Sequence, residues 1–378
     1  MVTLRDKIRG CIAASWVGSA MGAAVEGWSP QRIDETYGFV QELMTYKHYQ
    51  AYTDWQRPPG TTEDGIERQK LMNTAVIRKK DRITADDLVQ VWIEKLQPER
   101  MIYKQERFDK SLLEMAVAGV PPRELGRLWP FNNVVSVARA SHTLGIINAG
   151  DPRSAAMDVY DVGLVYSGEM TFALRWAALY DAAIAAALAP GATVESVLAT
   201  AREYALFRGQ KGTPYAGYDT ILAEIDRALA IAAKHADARA TEDGWRAMRD
   251  EFYAIYFGGN HFVYSMSQAN EVVAKGLAIF AFCQGDARQA VLTAVNFGRD
   301  TDCLAAVAGG LAGALTGASS LEQQWIDQVN AATKADPYTN SQMDIDETAE
   351  GLYEAVLAKL DKERAYLTKM ESVPGYLM

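Results

Sequence analysis

Residues 296–321 read NFGRDTDCLAAVAGGLAGALTGASSL, a glycine-containing loop with two aspartates that leads into a long uncharged segment. A membrane span needs about 20 strongly apolar residues, whereas residues 303–321 are dominated by alanine and glycine and are only mildly apolar. The segment therefore predicts a buried helix over 302–316, in which small residues allow close packing. Asp300 and Asp302 lie two positions apart in the irregular part, so both carboxylates can face the same side.

Helical periodicity dominates the rest of the chain, and alternating strand patterns of five or more residues are scarce. Thr3 can cap a first helix in which Ile8, Ile12 and Trp16 recur at helical spacing. Because no Pro/Ser linker divides the chain, we predict an all-α fold with one orthogonal multi-helical domain. This domain is predicted over residues 1–334, with residues 335–378 as a helical extension packed on it. Further helices are predicted over 64–80, 85–98, 107–118, 152–188 with a break at Ser167-Gly168, 193–206, 218–236, 241–254, 268–284, 286–296, 320–333 and 345–370.

The composition is that of a soluble globular protein, with 49% hydrophobic and 23% charged residues among 378. A formal net charge of −10 without any basic tract argues against a nucleic-acid surface. Three scattered cysteines do not form a disulfide framework, and the N-terminal sequence MVTLRDKIRG lacks the apolar core of a signal peptide. We therefore expect a cytoplasmic protein without a membrane partner.

A second cluster of oxygen ligands, Gly60-Thr61-Thr62-Glu63-Asp64-Gly65, follows a Pro-Pro pair. Neighbouring side chains on a regular helix point about 100° apart, so they converge only where the backbone turns, as at a helix N-terminus. Hard oxygen ligands suit Mg²⁺, Mn²⁺ or Ca²⁺ better than zinc, and none of the four histidines has His-x-x-x-His spacing. The alternative is that these carboxylates only cap helices.

Four motifs in order give the chain a resemblance to the ADP-ribosylglycohydrolases. GCIAASWVGSAMGAAVE at 10–26 is similar to the family's first helix, and Thr62-Glu63-Asp64 corresponds to its Thr-Asp-Asp. Residues 138–152, ARASHTLGIINAGDP, resemble its substrate loop, and Arg299 to Cys303 resembles its Gly-Asp-x-Asp-Thr. The similarity extends from about residue 5 to residue 318.

This resemblance implies a hydrolase of the glycosidic bond in an ADP-ribosyl or other ribosyl-containing substrate. It implies two divalent metals, Mg²⁺ or Mn²⁺, that orient the sugar and lower the pKa of the attacking water. Glu26 and either Glu63 or Asp64 are the candidate acid and base. The implied ligands are Thr62, Glu63, Asp64, Asp300 and Asp302, with Cys303 at the last ligand position.

Several positions depart from the family pattern: Ser19 and Glu63 replace aspartates, and Cys303 replaces a threonine. Glutamate reaches about 1.5 Å further than aspartate, and a thiol is a poor partner for Mg²⁺. Either the binding of one metal is weakened or lost, or the metal site has an altered geometry. Arg299 replaces a glycine and can clamp a phosphate or carboxylate bidentately, unless it pairs with a neighbouring aspartate.

Other candidates for substrate contact lie in loops. Trp55 belongs to an aromatic loop with Tyr46, Tyr49 and Tyr52, whose rings can stack on a base or sugar, or can pin the loop to the core. Residues 257–264, with His261, are a second glycine-hinged candidate for the pocket wall. The predicted substrate-binding residues are His142, Asn148, Gly298, Arg299 and Trp55.

Two other functions stay open at this point. One is hydrolysis of a different small glycoside or nucleoside on the same metal scaffold, and the other is a catalytically silent homologue retained for binding. The expected partner is a small glycosyl or ribosyl molecule, or an ADP-ribosylated protein.

Overall fold

The computed structural model describes residues 2–48, 53–129, 133–168, 172–206, 220–241, 243–256 and 266–373. Within these ranges the protein is all-α, with no strand and only two isolated bridges between extended residues. The helices of the described part are α1 Leu4–Gly22, α2 Pro30–Tyr37, α3 Asp64–Lys79, α4 Ala85–Lys95, α5 Met101–Lys104, α6 Arg107–Val117, α7 Pro122–Leu125, α8 His142–Ile147, α9 Pro152–Val162, α10 Phe172–Leu188, α11 Val194–Ala205, α12 Thr220–Lys234, α13 Gly244–Tyr256, α14 Ala269–Phe282, α15 Ala287–Val295, α16 Thr301–Thr316, α17 Gln323–Ala335 and α18 Ile345–Glu371.

The predicted helices are confirmed to within a few residues at their ends. Thr3 caps α1, since its side chain accepts a hydrogen bond from the Asp6 backbone N–H at 3.1 Å. The predicted break at Ser167-Gly168 falls between α9 and α10. The pattern did not predict the short helix α8, because six residues in a polar and glycine-containing stretch show no clear periodicity.

Helices α1 and α16 form a tightly packed antiparallel pair at the centre of the molecule. A Cβ atom added to Gly313 would lie 2.1 Å from the carbonyl oxygen of Gly10, and one added to Gly18 would lie 2.6 Å from that of Ala305. Contacts between low numbers on α1 and high numbers on α16 establish the antiparallel direction. The small residues of 302–316 are therefore required, because larger side chains would force the two backbones apart.

The segment Leu4–Val25 is long and apolar enough to cross a membrane by length and composition, with a mean hydropathy of 1.3. In this structure, however, 89% of that window is buried inside the protein. Its apolar side chains, including Ile8, Ile12 and Trp16, are fully enclosed by other helices. This segment is thus the central core helix of the fold.

The α1–α16 pair also joins two functional segments. The Thr301 hydroxyl donates to the carbonyl of Gly22 at 2.7 Å, so the end of α1 meets the start of α16. Just beyond, the Gly27 N–H donates to the carbonyl of Arg299, and the Arg299 N–H donates to that of Trp28, each at 2.7 Å. These bonds hold the residues after α1 against the loop before α16.

Helix α18 packs along α1 and α3. Its buried face includes Ile345, Leu352 and Val356, whereas its last two turns are exposed. The C-terminal part of the chain therefore covers two of the helices that position the candidate site.

Candidate functional site

Five carboxylates from three segments converge where the end of α1 meets the starts of α3 and α16. Glu63 and Asp64 precede and begin α3, whereas Asp300 and Asp302 flank the first residue of α16. Burial, followed by the charges of Asp302 and Asp300, raises the pKa of Glu26 well above its ordinary value. Burial and the charge of Asp300 likewise raise the pKa of Asp302. The structure thus brings the two acidic motifs together with Glu26.

The first of these carboxylates, Glu63, is enclosed by two basic side chains from the loop before it. Arg57 Nη1 donates to Oε1 of Glu63, and His48 Nε2 lies 2.7 Å from Oε2. Burial opposes ionisation, but the charges of Arg57 and His48 hold the pKa of Glu63 well below its ordinary range. Glu63 is therefore an ionised, fully buried carboxylate with both oxygens in contact with cationic or protonatable groups.

Asp64 is paired with two arginines. Arg139 donates to its two oxygens at 3.0 and 2.5 Å, and Arg68 Nη1 lies 3.2 Å from Oδ2. Although burial raises the pKa of Asp64, the charges of Arg139 and Arg68 lower it overall. The same Arg139 Nη1 also lies 3.1 Å from the sulfur of Cys303, so this guanidinium connects the first acidic motif to the second.

Asp300 and Asp302 differ from Glu63 and Asp64, because three of their four oxygens lack hydrogen-bond partners, whereas in Glu63 and Asp64 only Oε2 of Glu63 does. Both side chains are almost fully buried, and Oδ1 and Oδ2 of Asp300 and Oδ1 of Asp302 have no partner among the described residues. Buried carboxylates are normally paired or coordinate a metal. Ligand atoms of Asp300, Asp302 and Cys303 lie within 4.8 Å of one another, and so do those of His48, Glu63 and Asp64. The half of the site at Asp300 and Asp302, where three oxygens are unpartnered, therefore fits a cation.

The hydroxyl of Thr62, a predicted ligand, contacts a different network. It lies 3.5 Å from Oε1 of Glu67 and 3.4 Å from Nζ of Lys70. Its carbonyl accepts a hydrogen bond from Lys104 Nζ at 2.8 Å. Thr62 is therefore held by buried side chains behind the acidic cluster.

A cavity of about 790 Å³ opens onto the cluster. Glu26, Asp64, His48 and Arg139 form its polar wall, and Met101, Ile102 and Phe108 contribute apolar surface. An apolar cavity with a few convergent polar groups is typical of a small-molecule site. Of the five carboxylates, Glu26 and Asp64 reach this cavity.

His142 and Asn148 lie in the core and not at the cavity. The ring nitrogens of His142 contact the Gln69 amide at 3.1 Å and the Tyr180 hydroxyl at 2.9 Å. Asn148 donates to Oδ2 of Asp158 at 2.7 Å. The structure therefore does not bring these two predicted substrate contacts to the site, because both side chains are fully buried and hydrogen-bonded inside the core.

Arg299 pairs with a glutamate from α14. Its Nε and Nη2 donate to the two oxygens of Glu271 at 2.6 and 3.0 Å, and Lys275 Nζ donates to the same carboxylate. The alternative given above was that Arg299 pairs with a neighbouring aspartate, whereas its observed partner is Glu271. Gly298, with φ of +77°, makes the turn before Arg299 and lies against Pro30.

Trp55 belongs to an aromatic group that includes the C-terminal part of the chain. Its ring packs edge-on against Tyr338 at a centroid distance of 4.9 Å, and the Arg57 guanidinium lies 5.4 Å from its centroid. This packing matches the alternative in which the aromatic side chains hold the loop against the rest of the protein. Tyr49, Tyr52 and the segment 257–264 lie outside the described residues.

Sequence reasoning did not identify the arginines that surround the acidic cluster. Arg57 and Arg68 are 2% and 0% exposed, which is rare for arginine unless it is paired. One available signal was the i, i+4 spacing of Asp64 and Arg68 at the start of α3, which favours an ion pair. Arg57 and Arg139 carry no comparable signal, because Arg57 lies in an irregular loop 6 positions before Glu63 and Arg139 lies 75 positions from Asp64.

The fold and the site define an all-helical protein with an acidic centre beside a small-molecule cavity. Residues 1–361 match the sequence model of the ADP-ribosylglycohydrolase family, so the chain belongs to that family. A protein of Archaeoglobus fulgidus described as uncharacterized is 26% identical over 333 residues, which cover 86% of this chain and 92% of that protein.

A solved structure described as an "ADP-ribosylglycohydrolase-related protein complex" has the same fold. It superposes with a TM-score of 0.63 at 18% identity and covers 94% of this chain and all of that one. The family match extends beyond residue 318, where the recognisable motifs end, into α18.

Proposed function

We propose that this protein is a metal-dependent hydrolase that cleaves the glycosidic bond of a ribosyl-containing substrate. The observation that carries the proposal is the unpartnered, buried carboxylate pair of Asp300 and Asp302 next to a cavity that reaches Glu26. Family membership supports the glycosidic reaction. The acidic oxygen donors support Mg²⁺ or Mn²⁺ as the metal.

Glu26 is the candidate proton donor. Burial is the largest cause of its raised pKa, and a bound cation would offset part of the contribution from Asp302 and Asp300. A carboxyl group that retains its proton near neutral pH can protonate a leaving group. Glu26 lines the cavity, as this role requires.

Asp64 is the candidate for stabilising positive charge on the sugar. It lines the cavity and is kept ionised by Arg139 and Arg68. Glycoside cleavage passes through a transition state that resembles an oxocarbenium ion, so an ionised carboxylate at the cavity wall lowers its energy. A bound Mg²⁺ or Mn²⁺ would supply Lewis-acid activation and orient the sugar hydroxyls. Glu63, enclosed by Arg57 and His48, acts instead as a positioning residue.

The charge of the cavity favours a second candidate substrate class, a glycoside or nucleoside without phosphates. A diphosphate brings negative charge, which acidic side chains around a cavity disfavour. Besides Glu26, which keeps its proton in this proposal, the acidic lining residues are Asp64, Glu99, Glu106 and Glu114, whereas the basic ones, besides His48, are Arg107, Lys110 and Arg139.

We further propose a cytoplasmic location and a small-molecule substrate or an ADP-ribosylated protein as partner. All three cysteines are free and buried, which suits a reducing compartment.

The test is hydrolysis of an ADP-ribosylated protein, a free ADP-ribosyl ester and ribonucleosides, each with Mn²⁺ and with a chelator. We expect turnover of at least one substrate with Mn²⁺ alone. Glu26→Gln should lower kcat by about 100-fold or more because it removes the acidic proton. Glu99→Gln is the matched control at the same cavity and should retain activity.

Two results would contradict the proposal. Absence of turnover on every substrate would favour the silent binding homologue. Full activity of Glu26→Gln would reject its assignment as proton donor.

A further inference from the structure

We infer that the acidic centre holds one divalent cation per chain, at Asp300 and Asp302, and that the Arg139 guanidinium occupies the place of a second one. This inference rests on the cation dependence proposed above and differs from the expectation of two ions. It follows from an asymmetry between the two acidic motifs. In one motif arginines engage three of the four carboxylate oxygens, whereas in the other three of the four have no hydrogen-bond partner among the described residues.

In the first motif, arginines already engage three of the four carboxylate oxygens. Arg57 contacts Oε1 of Glu63, and Arg139 contacts both oxygens of Asp64. The fourth, Oε2 of Glu63, has no hydrogen-bond partner among the described residues but lies 2.7 Å from His48 Nε2. A metal at the first three oxygens competes with a guanidinium of like charge, and a metal at the fourth competes with His48. The first motif is thus already neutralised by the protein.

The arginines are also held in place by their surroundings. Arg57 lies between the rings of Tyr46 and Trp55, with its guanidinium 5.6 and 5.4 Å from their centroids. The side chain of Arg139 rests on Gly65, where an added Cβ would lie 2.7 Å from its Cδ. The backbone at the start of α3 therefore makes room for Arg139, which cannot leave without opening a buried space.

Arg139 spans the position between the motifs. Its Nη1 contacts Oδ1 of Asp64 at 3.0 Å and Sγ of Cys303 at 3.1 Å. Arg139 thus contacts a candidate ligand atom of each motif. Cys303 replaces the threonine expected from the family pattern, and its thiol is a poor ligand for a hard cation. The cysteine and the arginine contact therefore both disfavour an ion at this position.

The second motif has the opposite character. Three oxygens of Asp300 and Asp302 are buried without a partner among the described residues. The two carboxylates match one dication in charge, whereas Glu63 and Asp64 already face the guanidiniums of Arg57, Arg139 and Arg68. A second dication would add positive charge beside these three buried guanidiniums.

The experiment is a titration of Mn²⁺ into the metal-stripped full-length protein, followed by calorimetry and electron paramagnetic resonance. We expect one Mn²⁺ per chain and the six-line spectrum of an isolated ion. Two ions per chain, or the spectrum of a spin-coupled pair, would overturn the inference.

A pair of variants tests the location. Asp300→Asn should weaken Mn²⁺ binding by 100-fold or more, whereas Glu63→Gln removes the same charge and should still bind one ion. Equal loss in both variants would overturn the inference, since the first motif would then supply a ligand. Glu63→Gln leaves Arg57 unpaired, so the double variant Arg57→Gln/Glu63→Gln is the second control if thermal unfolding shows that the single variant is unstable.

The outcomes separate this inference from the proposed function. One bound ion without hydrolysis of any substrate would contradict the function and leave the stoichiometry standing. Two bound ions with hydrolysis would contradict the stoichiometry alone. A protein that binds no Mn²⁺ would contradict both.

Discussion

Single atoms in the acidic centre decide how its charge is balanced. Glutamate at position 63 has one more methylene than the aspartate of the family pattern, and its carboxylate contacts Arg57 and His48. Cys303 has a sulfur where a hydroxyl is expected, and this sulfur lies beside Arg139. Taken alone, each substitution would weaken a metal site. Together with the contacts to Arg57 and Arg139, both substitutions fit the proposal that arginine charges take the place of one metal ion.

His142 illustrates the cost of burying a titratable group. Burial lowers its pKa to about 4, although its contact with the carbonyl of Ala306 acts in the opposite direction. The pKa of histidine in an unfolded chain is about 6.5. The unfolded state therefore binds a proton more readily between these values. The stability contributed by the neutral imidazole is complete above about pH 6.5 and is lost as pH falls toward 4.

We predict that replacing His142 with glutamine removes this pH dependence. The free energy of unfolding of the wild type, minus that of His142→Gln, should fall by about 2 kcal/mol between pH 7 and pH 5. Urea unfolding of both proteins at several pH values measures the difference. A difference that stays constant with pH would contradict the neutral, buried state of His142.

At the scale of secondary structure, the α1–α16 pair controls both the core and the site. Its backbones approach so closely that neither helix tolerates a Cβ at the contact glycines. The same pair brings the end of α1 to the start of α16, through the bond between Thr301 and Gly22. Packing of small residues thus positions Glu26 relative to Asp300 and Asp302.

We predict that Gly313→Ala destabilises the protein by about 3 kcal/mol, because its Cβ would overlap the carbonyl of Gly10. Helix propensity acts in the opposite direction, by about 1 kcal/mol, so the steric effect is decisive. Mn²⁺ affinity should fall as well, because the start of α16 would shift. Denaturant unfolding and Mn²⁺ titration measure the two effects.

Gly351→Ala is the matched control for this change. It is also a helical glycine, but its Cβ would meet only the side chain of Ile77 at 2.9 to 3.2 Å, which can move. Its stability should stay within about 1 kcal/mol of the wild type. If the two variants were equally stable, the close backbone contact of α1 and α16 would be in error.

At the scale of the whole molecule, the C-terminal segment supports the first acidic motif from behind. Asp336 lies 2.7 Å from Lys104 Nζ, which donates to the carbonyl of Thr62. Thr339 and the Asn340 N–H both donate to the buried carboxylate of Glu67. The loop between α17 and α18 therefore completes a polar network around Glu67, which is fully buried, while Thr339 and Asn340 are half-buried.

We predict that Thr339→Val disrupts this network at nearly constant volume. Glu67 loses a donor and Lys70 loses an acceptor at 2.8 Å, which should cost about 1 to 3 kcal/mol of stability. Thr368→Val, on an exposed turn of α18, should change stability by less than about 0.5 kcal/mol. Thermal unfolding of the two variants measures this contrast, and equal stability would exclude a supporting role for Thr339.

The amino-acid sequence by itself determined the helices and the two acidic motifs. Helical hydrogen bonds and amphipathic patterns are local, so the limits of α1, α3 and α16 could be predicted from residues close in the chain. The presence of oxygen ligands at two helix starts was also readable, because capping and turning are local properties.

Only the tertiary structure decided how those ligands are used. Arg57 and His48 reach the acidic centre from the irregular loop before α3, and Arg139 reaches it from 75 positions away. Arg299 pairs with Glu271 across 28 positions, and His142 is enclosed in the core. The electrostatic energy of a buried charge depends on distances and desolvation that arise when remote segments pack together. No local pattern specifies those distances, and the neutralisation of Glu63 and Asp64 by arginines therefore appears only in the folded molecule.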